Sequence, residues 1–371
     1  MEIRFSEERE ELRRTVRRFL EDKAPMVEVR RLMETDEGYD RDMWLLMAQQ
    51  LGLQGLVIPE RFGGGGYSFE ELVVVFEEMG RSLLCAPFFS TVALATSALM
   101  SSNDESAMAK YLPGIATGET IATLAHNESA NDFDHEKYTT SVKRDGERWL
   151  VTGTKSFVID GASANLILVA AQGDLGLCLV AVEASAPGIT VNPLSTLDMT
   201  RKQSEMSFSE TPGLLVGLEG AAWPSLSRAF ELAATAIAAE EVGGAQRVLE
   251  LSVDYASNRI QYGRRIGSFQ AIKHKCADML VAVETSKSAL SYASWAAAAG
   301  SDEIPIAASL AKAYCSEAYI RCAAQNIQIH GGIGFTWEHD AHLYFRRAKS
   351  SELLLGSPWY HRELLAQHVG I

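Results

Sequence analysis

Two segments of this sequence carry side chains whose types and spacing suit an anionic ligand. In Asn258-Arg259-Ile260-Gln261-Tyr262-Gly263-Arg264-Arg265-Ile266-Gly267-Ser268-Phe269-Gln270, Arg259 offers a planar guanidinium fork for paired oxygens. It is more directional than a lysine, and Gln261 and Gln270 add amide donors. In Gln328-Ile329-His330-Gly331-Gly332-Ile333-Gly334-Phe335, Gly331, Gly332 and Gly334 let backbone N–H groups approach a bound group with no Cβ in the way. Singly, the arginine reads as a surface residue and the glycines as a helix C-cap. The chemistry they share is a grip on phosphate-type oxygens.

That grip has to be local. The 371 residues carry 34 Lys+Arg against 48 Asp+Glu, a formal charge of −14. Bulk electrostatics therefore make the chain a poor nucleic-acid binder, and no nucleic-acid partner is expected, because each phosphate contact needs a cation. With 47% hydrophobic and 22% charged residues, the chain has ample material for a core. The richest apolar run, Leu166–Ala171, has six residues, well short of the roughly 18 that mark a membrane-spanning helix. The opening Met1-Glu2-Ile3-Arg4-Phe5-Ser6-Glu7-Glu8 has no signal-peptide pattern, and the five cysteines form no C-x-x-C. A cytoplasmic protein with reduced, buried thiols is expected, without a membrane partner. Glu338-His339-Asp340-Ala341-His342 has metal-ligating residue types but no third well-spaced ligand, so no metal is expected and capping or surface contacts are. Gly63-Gly64-Gly65-Gly66 lacks the spacing of a phosphate loop and reads as a flexible connector.

The elements that must position these groups fall into three blocks, taken as domains 1–118, 119–217 and 218–371. The first is helical. Ser6 can cap its opening helix, Leu12, Val16 and Phe19 form an apolar stripe, a second stripe from Trp44 to Leu51 stops at Gly52, and another helix runs from about Phe69 to Leu84. The second block changes period. Trp149–Gly153, Leu166–Val169 and Leu177–Val182 are short β-rich runs, and Asp145-Gly146 is a hairpin signal, as in antiparallel sheets or barrels. The third returns to helix from Ala221 to Asn258, with a break expected at Gly243-Gly244, then from Phe269 to Gly300, and onward from Pro305.

With this order and these two motifs, the sequence resembles the acyl-CoA dehydrogenase family over its whole length. The first motif is similar to the family's R-x-Q-F-G…F-Q element and the second to its Q-x-x-G-G-x-G-F element. The resemblance implies an α+β fold with a helical N-terminal domain, a middle β-barrel and a C-terminal four-helix bundle. It implies FAD, gripped through Arg259, Gln261, Tyr262, Gln270, Gln328, Gly331, Gly332 and Gly334 on behalf of a neighbouring subunit. It also implies an acyl-CoA substrate, an electron-accepting flavoprotein and an oligomer.

The family removes the α-proton of the thioester with a glutamate, while the β-hydrogen leaves as hydride to the flavin. The two places for that base are empty of acid. One, nine residues after Arg346 in Arg346-Arg347-Ala348-Lys349, is Leu355; the other, 26 residues before Arg259, is Ala233. Glu240 and Glu241 are the nearest alternatives, but two helical turns displace Glu240 by about 10 Å along the axis, and a buried salt bridge is the competing expectation. Glu352 is a weaker candidate. The flavin-facing loop, usually T-E-P-G-A-G-S-D, aligns with Asn127-Glu128-Ser129-Ala130-Asn131-Asp132-Phe133-Asp134, and its W-I-T-N partner with Phe157-Val158-Ile159-Asp160. The hydroxyl and the indole are gone.

This pattern resembles the glutamate-less subunit of the heteromeric acyl-CoA dehydrogenases of actinobacterial steroid side-chain degradation, two-plus-two heterotetramers in which the other subunit supplies base and flavin pocket. Three expectations follow: a subunit active with a partner chain, a self-sufficient homotetramer using Glu240 or Glu241, or a non-catalytic scaffold of the same fold.

Overall fold

The computed structural model describes residues 7–129 and 135–371. Ser6 and the loop positions Ala130 to Asp134 lie outside them. The chain forms two compact units, one of residues 1–30, 69–84 and 234–371, the other of residues 31–68 and 85–233.

The N-terminal helices are α1 (Glu7–Lys23), α2 (Met26–Met33), α3 (Arg41–Leu51), α4 (Phe69–Ser82), α5 (Ser97–Ser101) and α6 (Glu105–Ala116), with a π-helical stretch over Phe89–Thr96. Asp40 caps α3, and Gly52 ends it at φ 63°, a left-handed position that suits glycine. Val16 and Leu20 of α1 are buried, with Leu12 and Phe19 half-buried. Ion pairs fasten α1 to α4: Arg9 to Glu70 and Glu71, Arg13 to Glu77 and Glu78, and Arg17 to Glu78. The glycine run is not a loose connector. The N–H groups of Gly63, Gly65 and Gly66 donate to Glu60, Gly55 and Ile58, so each backbone donor is spent within the loop.

The seven strands are β1 (Ala122–Ala125), β2 (Ser141–Asp145), β3 (Arg148–Ile159), β4 (Leu166–Gly173), β5 (Gly176–Glu183), β6 (Ile189–Pro193) and β7 (Gln203–Val216). β4, β2, β3, β7 and β5 pair in a ring that returns to β4, closing a barrel; β1 adds parallel to β4 and β6 antiparallel to β7. The β2–β3 hairpin turns at Gly146, φ 63°. Closure removes most exposed edges, and inward residues such as Val151, Val169, Val180 and Phe208 fill the interior.

The C-terminal part holds α7 (Trp223–Asn258), a hairpin of β8 (Ile260–Gln261) and β9 (Arg264–Arg265), then α8 (Gln270–Ala298), α9 (Ile304–His330), α10 (Ala341–Leu353) and α11 (Pro358–Val369). α9 packs against α8, α10 and α11, and Pro305 lies in its first turn, where no backbone donor is lost. The expected break at Gly243-Gly244 is absent: α7 is continuous. The glycines serve packing instead. A Cβ on Gly243 would overlap the carbonyl of Glu77 on α4, and one on Gly80 of α4 would overlap the carbonyl of Glu240. Gly244 lies against the Tyr319 ring.

Gly243→Ala should therefore lower stability by about 1–3 kcal/mol despite alanine's better helix propensity. Gly332→Ala, whose Cβ meets nothing within 4 Å, should leave the thermal midpoint unchanged. Thermal unfolding of the two variants checks this.

Candidate cofactor and active site

The two motifs sit at the C-terminal ends of α7 and α9, and specific contacts bring those ends together. Ser252 of α7 donates to Asn326 Oδ1 of α9 at 2.9 Å, and the Tyr255 ring stacks on His330 at 4.2 Å. Arg259 follows one turn after Tyr255, and Gly331 comes directly after His330. β8 and β9 turn through Tyr262 and Gly263, φ 53° and 77°, the paired left-handed positions of a tight hairpin. Arg264 lies over the Phe269 ring at 4.0 Å, and the Tyr262 ring meets Phe269 edge-on. Arg259, Gln261, Gln270, Gln328, Gly331 and Gly332 are exposed, Tyr262 is 91% and Phe335 82% exposed, and Gly334 is buried.

The carboxylates behave differently. Glu241 and Lys312 are both fully buried, 3.7 Å apart; Ser316 donates to Glu241 at 2.8 Å and accepts from Lys312 at 2.7 Å. Glu240 is buried beside the equally buried Arg347 at 3.7 Å. Burial lowers the Lys312 pKa, with Glu241 pulling it back up. Lys312 also donates to the carbonyls of Ser351 and Glu352 at the end of α10, where a cation suits the helix dipole. Two residues beyond α10, Leu355 is buried at φ 58°, and its carbonyl accepts from His361 Nε2 at 2.9 Å. Burial and the nearby Lys312 push His361 down to about 3, so its ring is neutral at physiological pH. Ala233 is fully buried, and Glu352 is half-buried on the last turn of α10 and pairs with Lys349.

Residues flanking the flavin-facing alignment form a third cluster. Lys155 is fully buried on β3, bonded to Glu128 at 2.8 Å and to the His126 carbonyl at 3.1 Å, with the Tyr138 ring 4.0 Å away. Burial pushes Lys155 down to about 8, partly offset by Glu128. Burial works against the Glu128 charge, but hydrogen bonds from Lys155 and Thr139 outweigh it and hold the carboxyl at about 2. His126 is driven to about 3 by burial and Lys155. Asn127 Oδ1 is buried with no hydrogen-bond partner among the described residues. Phe157, in a β3 bulge, holds φ 56° and is 40% exposed; an aromatic residue held left-handed is strain of the kind found at functional sites. Sequence reasoning passed over Lys155, Tyr138, Lys312 and His361. Only Lys155 left a signal: it continues the inward alternation Trp149, Val151, Gly153 along β3.

His339 Nδ1 accepts from the Ala341 N–H and His342 Nε2 meets the Trp337 carbonyl, so both rings have local hydrogen-bonding roles; no metal-binding group of three was found among the described residues.

Models of the acyl-CoA dehydrogenase N-terminal, middle and C-terminal domains match residues 6–119, 123–211 and 220–370. The acyl-CoA dehydrogenase IpdE2 of Mycobacterium tuberculosis is 34% identical over 97% of this chain and 95% of its own. The chain belongs to the acyl-CoA dehydrogenase family. A variant of the Tcur3481-Tcur3483 steroid ACAD superposes with TM-score 0.89 at 28% identity, covering 98% of both chains. The ChsE4-ChsE5 complex from Mycobacterium tuberculosis matches with TM-score 0.91 at 25% identity over 100% of this chain and 99% of that one.

Acyl-CoA dehydrogenases are FAD-dependent oxidoreductases acting on CH–CH bonds. The two motifs fit the dinucleotide half of that cofactor. Gly331 and Gly332 would place no Cβ near any other atom, and the arginine and amide side chains beside them are open to a group from outside the chain. Arg259, Gln261 and the glycine turn would hold it.

Glu128→Gln should destabilise the fold by about 3–5 kcal/mol near neutral pH, because it strands the buried Lys155 cation. The sign follows from both groups. The depressed Glu128 contributes stability that is present above the ordinary carboxylate pKa of about 4.5 and lost as pH falls toward 2. Lys155 loses its charge above about 8. The difference from wild type should thus be largest between about pH 5 and 8 and shrink on either side, as thermal unfolding across pH will show.

Proposed function

We propose that this chain is the dinucleotide-gripping subunit of a heteromeric acyl-CoA dehydrogenase whose partner subunit supplies the catalytic glutamate. The observation that carries the reading is Leu355: the family's proton acceptor position holds an alkyl side chain. The nearby carboxylates offer no replacement, since Glu240 and Glu241 lie against buried cations. A general base needs reach and a free lone pair at the reacting proton, and an anion already neutralised by a buried guanidinium or ammonium is poorly suited to the task.

When bound, FAD supplies a hydride acceptor for the β-hydrogen of the thioester. This chain's part is to bind and orient. Arg259 holds paired phosphate oxygens, Gln261 and Gln270 donate to phosphate or adenosine groups, and Gly331 and Gly332 admit the dinucleotide to the backbone; Gly334, expected to do the same, is buried against His330 and Ile327 and serves packing instead. The word steroid in the name of one similar structure favours a bulky, steroid-derived acyl-CoA as substrate, and the family resemblance adds a two-plus-two assembly in the cytoplasm and a flavoprotein as the final electron acceptor. No helix among the described residues is long and apolar enough to cross a membrane.

Purified alone, the chain should retain little flavin and should not reduce a dye with acyl-CoA thioesters. Co-expressed with its glutamate-bearing partner, the complex should be yellow and active. In that complex Arg259→Lys should raise the flavin dissociation constant about tenfold or more, as expected for loss of a bidentate charged contact. Turnover by the lone chain that Glu240→Gln or Glu241→Gln abolishes would establish the homotetramer instead; no flavin in any pairing would leave a scaffold.

A further inference from the structure

The glycine turn rests on a cluster of side chains that the reading above does not use. Gly334 packs directly on His330: a Cβ there would come within 2.9 Å of the histidine's own Cβ. The His330 ring is sandwiched, with Tyr255 at 4.2 Å and His339 at 4.5 Å. Beyond it, Trp337 stacks on His342 at 4.9 Å, and the Arg346 guanidinium lies over the indole at 5.3 Å. Arg30 reaches in from α2. Its Nε donates to Asp340 Oδ1 at 2.9 Å, its Nη2 lies 2.8 Å from the same oxygen, and its Nη1 donates to the Trp337 carbonyl at 2.8 Å.

The hydrogen bonds assign one ring nitrogen of each imidazole. An N–H can only donate, so His339 Nδ1, which receives the Ala341 N–H at 3.1 Å, must be unprotonated. His330 Nδ1 faces the Asn326 carbonyl at 2.8 Å and must carry the proton, leaving Nε2 bare in the neutral ring. His342 Nε2 donates to the Trp337 carbonyl at 3.1 Å, while its Nδ1 is buried with no partner among the described residues. A proton on His339 Nδ1 would break the bond to Ala341 at the start of α10, and one on His342 Nδ1 would bury a donor with no acceptor.

The surrounding charges compensate such protons only in part, through Asp340. The groups facing the cluster are the cations Arg30 and Arg346, the phenol Tyr255, the carboxylate Asp340, already held by Arg30, and the fully exposed Glu338. Burial is the largest influence and lowers the pKa of each histidine; the Asn326 carbonyl on His330, Asp340 beside His339 and the Trp337 carbonyl on His342 oppose it in part, and neighbouring positive groups add to it.

We propose that His330, His339 and His342, clamped by Arg30, are positioning residues that set the Gly331–Phe335 turn for the flavin dinucleotide, and that protonating them loosens this grip on the acid side of neutrality. The proposal rests on the reading of that turn as a cofactor arm. The sign is that of bases depressed in the folded state: their contribution is complete above the ordinary histidine pKa of about 6.5 and is lost as pH falls below it.

The test uses the co-expressed flavin complex. Flavin release is followed by fluorescence from pH 7.5 to pH 5.5 for wild type, His330→Phe, the double variant His330→Phe/His339→Gln, and His274→Ala, an exposed histidine of α8. Wild type and His274→Ala should release flavin about tenfold faster at pH 5.5 than at pH 7.5, the change expected for about one pKa unit of linkage. The double variant keeps an aromatic ring against Tyr255 and an acceptor for Ala341 and leaves only His342 of the three to titrate, so its profile should be much shallower than that of wild type. Arg30→Lys, which keeps the charge but not the fork, should speed release at both pH values. A flat wild-type profile, or one that the double variant does not flatten, overturns the proposal. The unfolding midpoint of the flavin-free chain, measured over the same pH range, should drop with acid in wild type and less in the double variant. If Arg259→Lys also retains flavin unchanged, the cofactor-arm reading itself has failed; if Arg259→Lys sheds flavin while the pH profile stays flat, only the histidine inference has.

Discussion

The register of α7 against α9 is the constraint on which the functional parts hang. Along the two helices, Glu241 meets Lys312 and Ser316, Gly244 admits the Tyr319 ring, Ser252 bonds Asn326, and Tyr255 stacks on His330. Sliding one helix by a turn would unpair every one of these contacts and leave a buried cation without its anion, a penalty of about 3–5 kcal/mol for the ion pair alone. Because the register is fixed, Arg259 and Gly331 emerge together at one end of the bundle. There, polar and aromatic side chains face outward.

On the proposed reading, the same interior leaves this chain without a free acid for proton abstraction. Glu240 and Glu241 are committed to Arg347 and Lys312, and Lys312 in turn ties down the carbonyls of Ser351 and Glu352 in the last turn of α10, four and three residues before Leu355. The left-handed leucine is held by His361 on its carbonyl. The loop is thus well anchored, with a backbone conformation retained and its chemistry absent. That combination fits a protein selected for shape and cofactor grip, with the acid–base step performed by another polypeptide.

Much of the architecture was legible from local signals. Gly52 as a stop, the Asp145-Gly146 hairpin, Pro305 in a first turn and the change of period into the β-block each report a short-range preference, and each is found in the structure. The Gly243-Gly244 pair misled because a glycine marks a chain break and a close helix crossing with the same letter; only the partner helix, far away in sequence, decides between them. The Gly63–Gly66 run misled for a related reason, since its hydrogen bonds to Gly55 and Ile58 depend on a fold-back that composition does not encode. Buried Lys312 and the Arg30 clamp were invisible because charged residues are expected outside and their partners lie tens to hundreds of positions away. The cofactor motifs were readable because their residues are contiguous; what aligns the two segments was not.

The account turns on where the α-proton goes. In deuterated buffer, acyl-CoA thioester should exchange its α-hydrogen when incubated with the assembled complex. That exchange should vanish when the partner's glutamate is replaced by glutamine, and persist when Glu240 or Glu241 of this chain is replaced in a complex that still assembles. Exchange catalysed by this chain alone, or abolished by Glu240→Gln with flavin still bound, would contradict it.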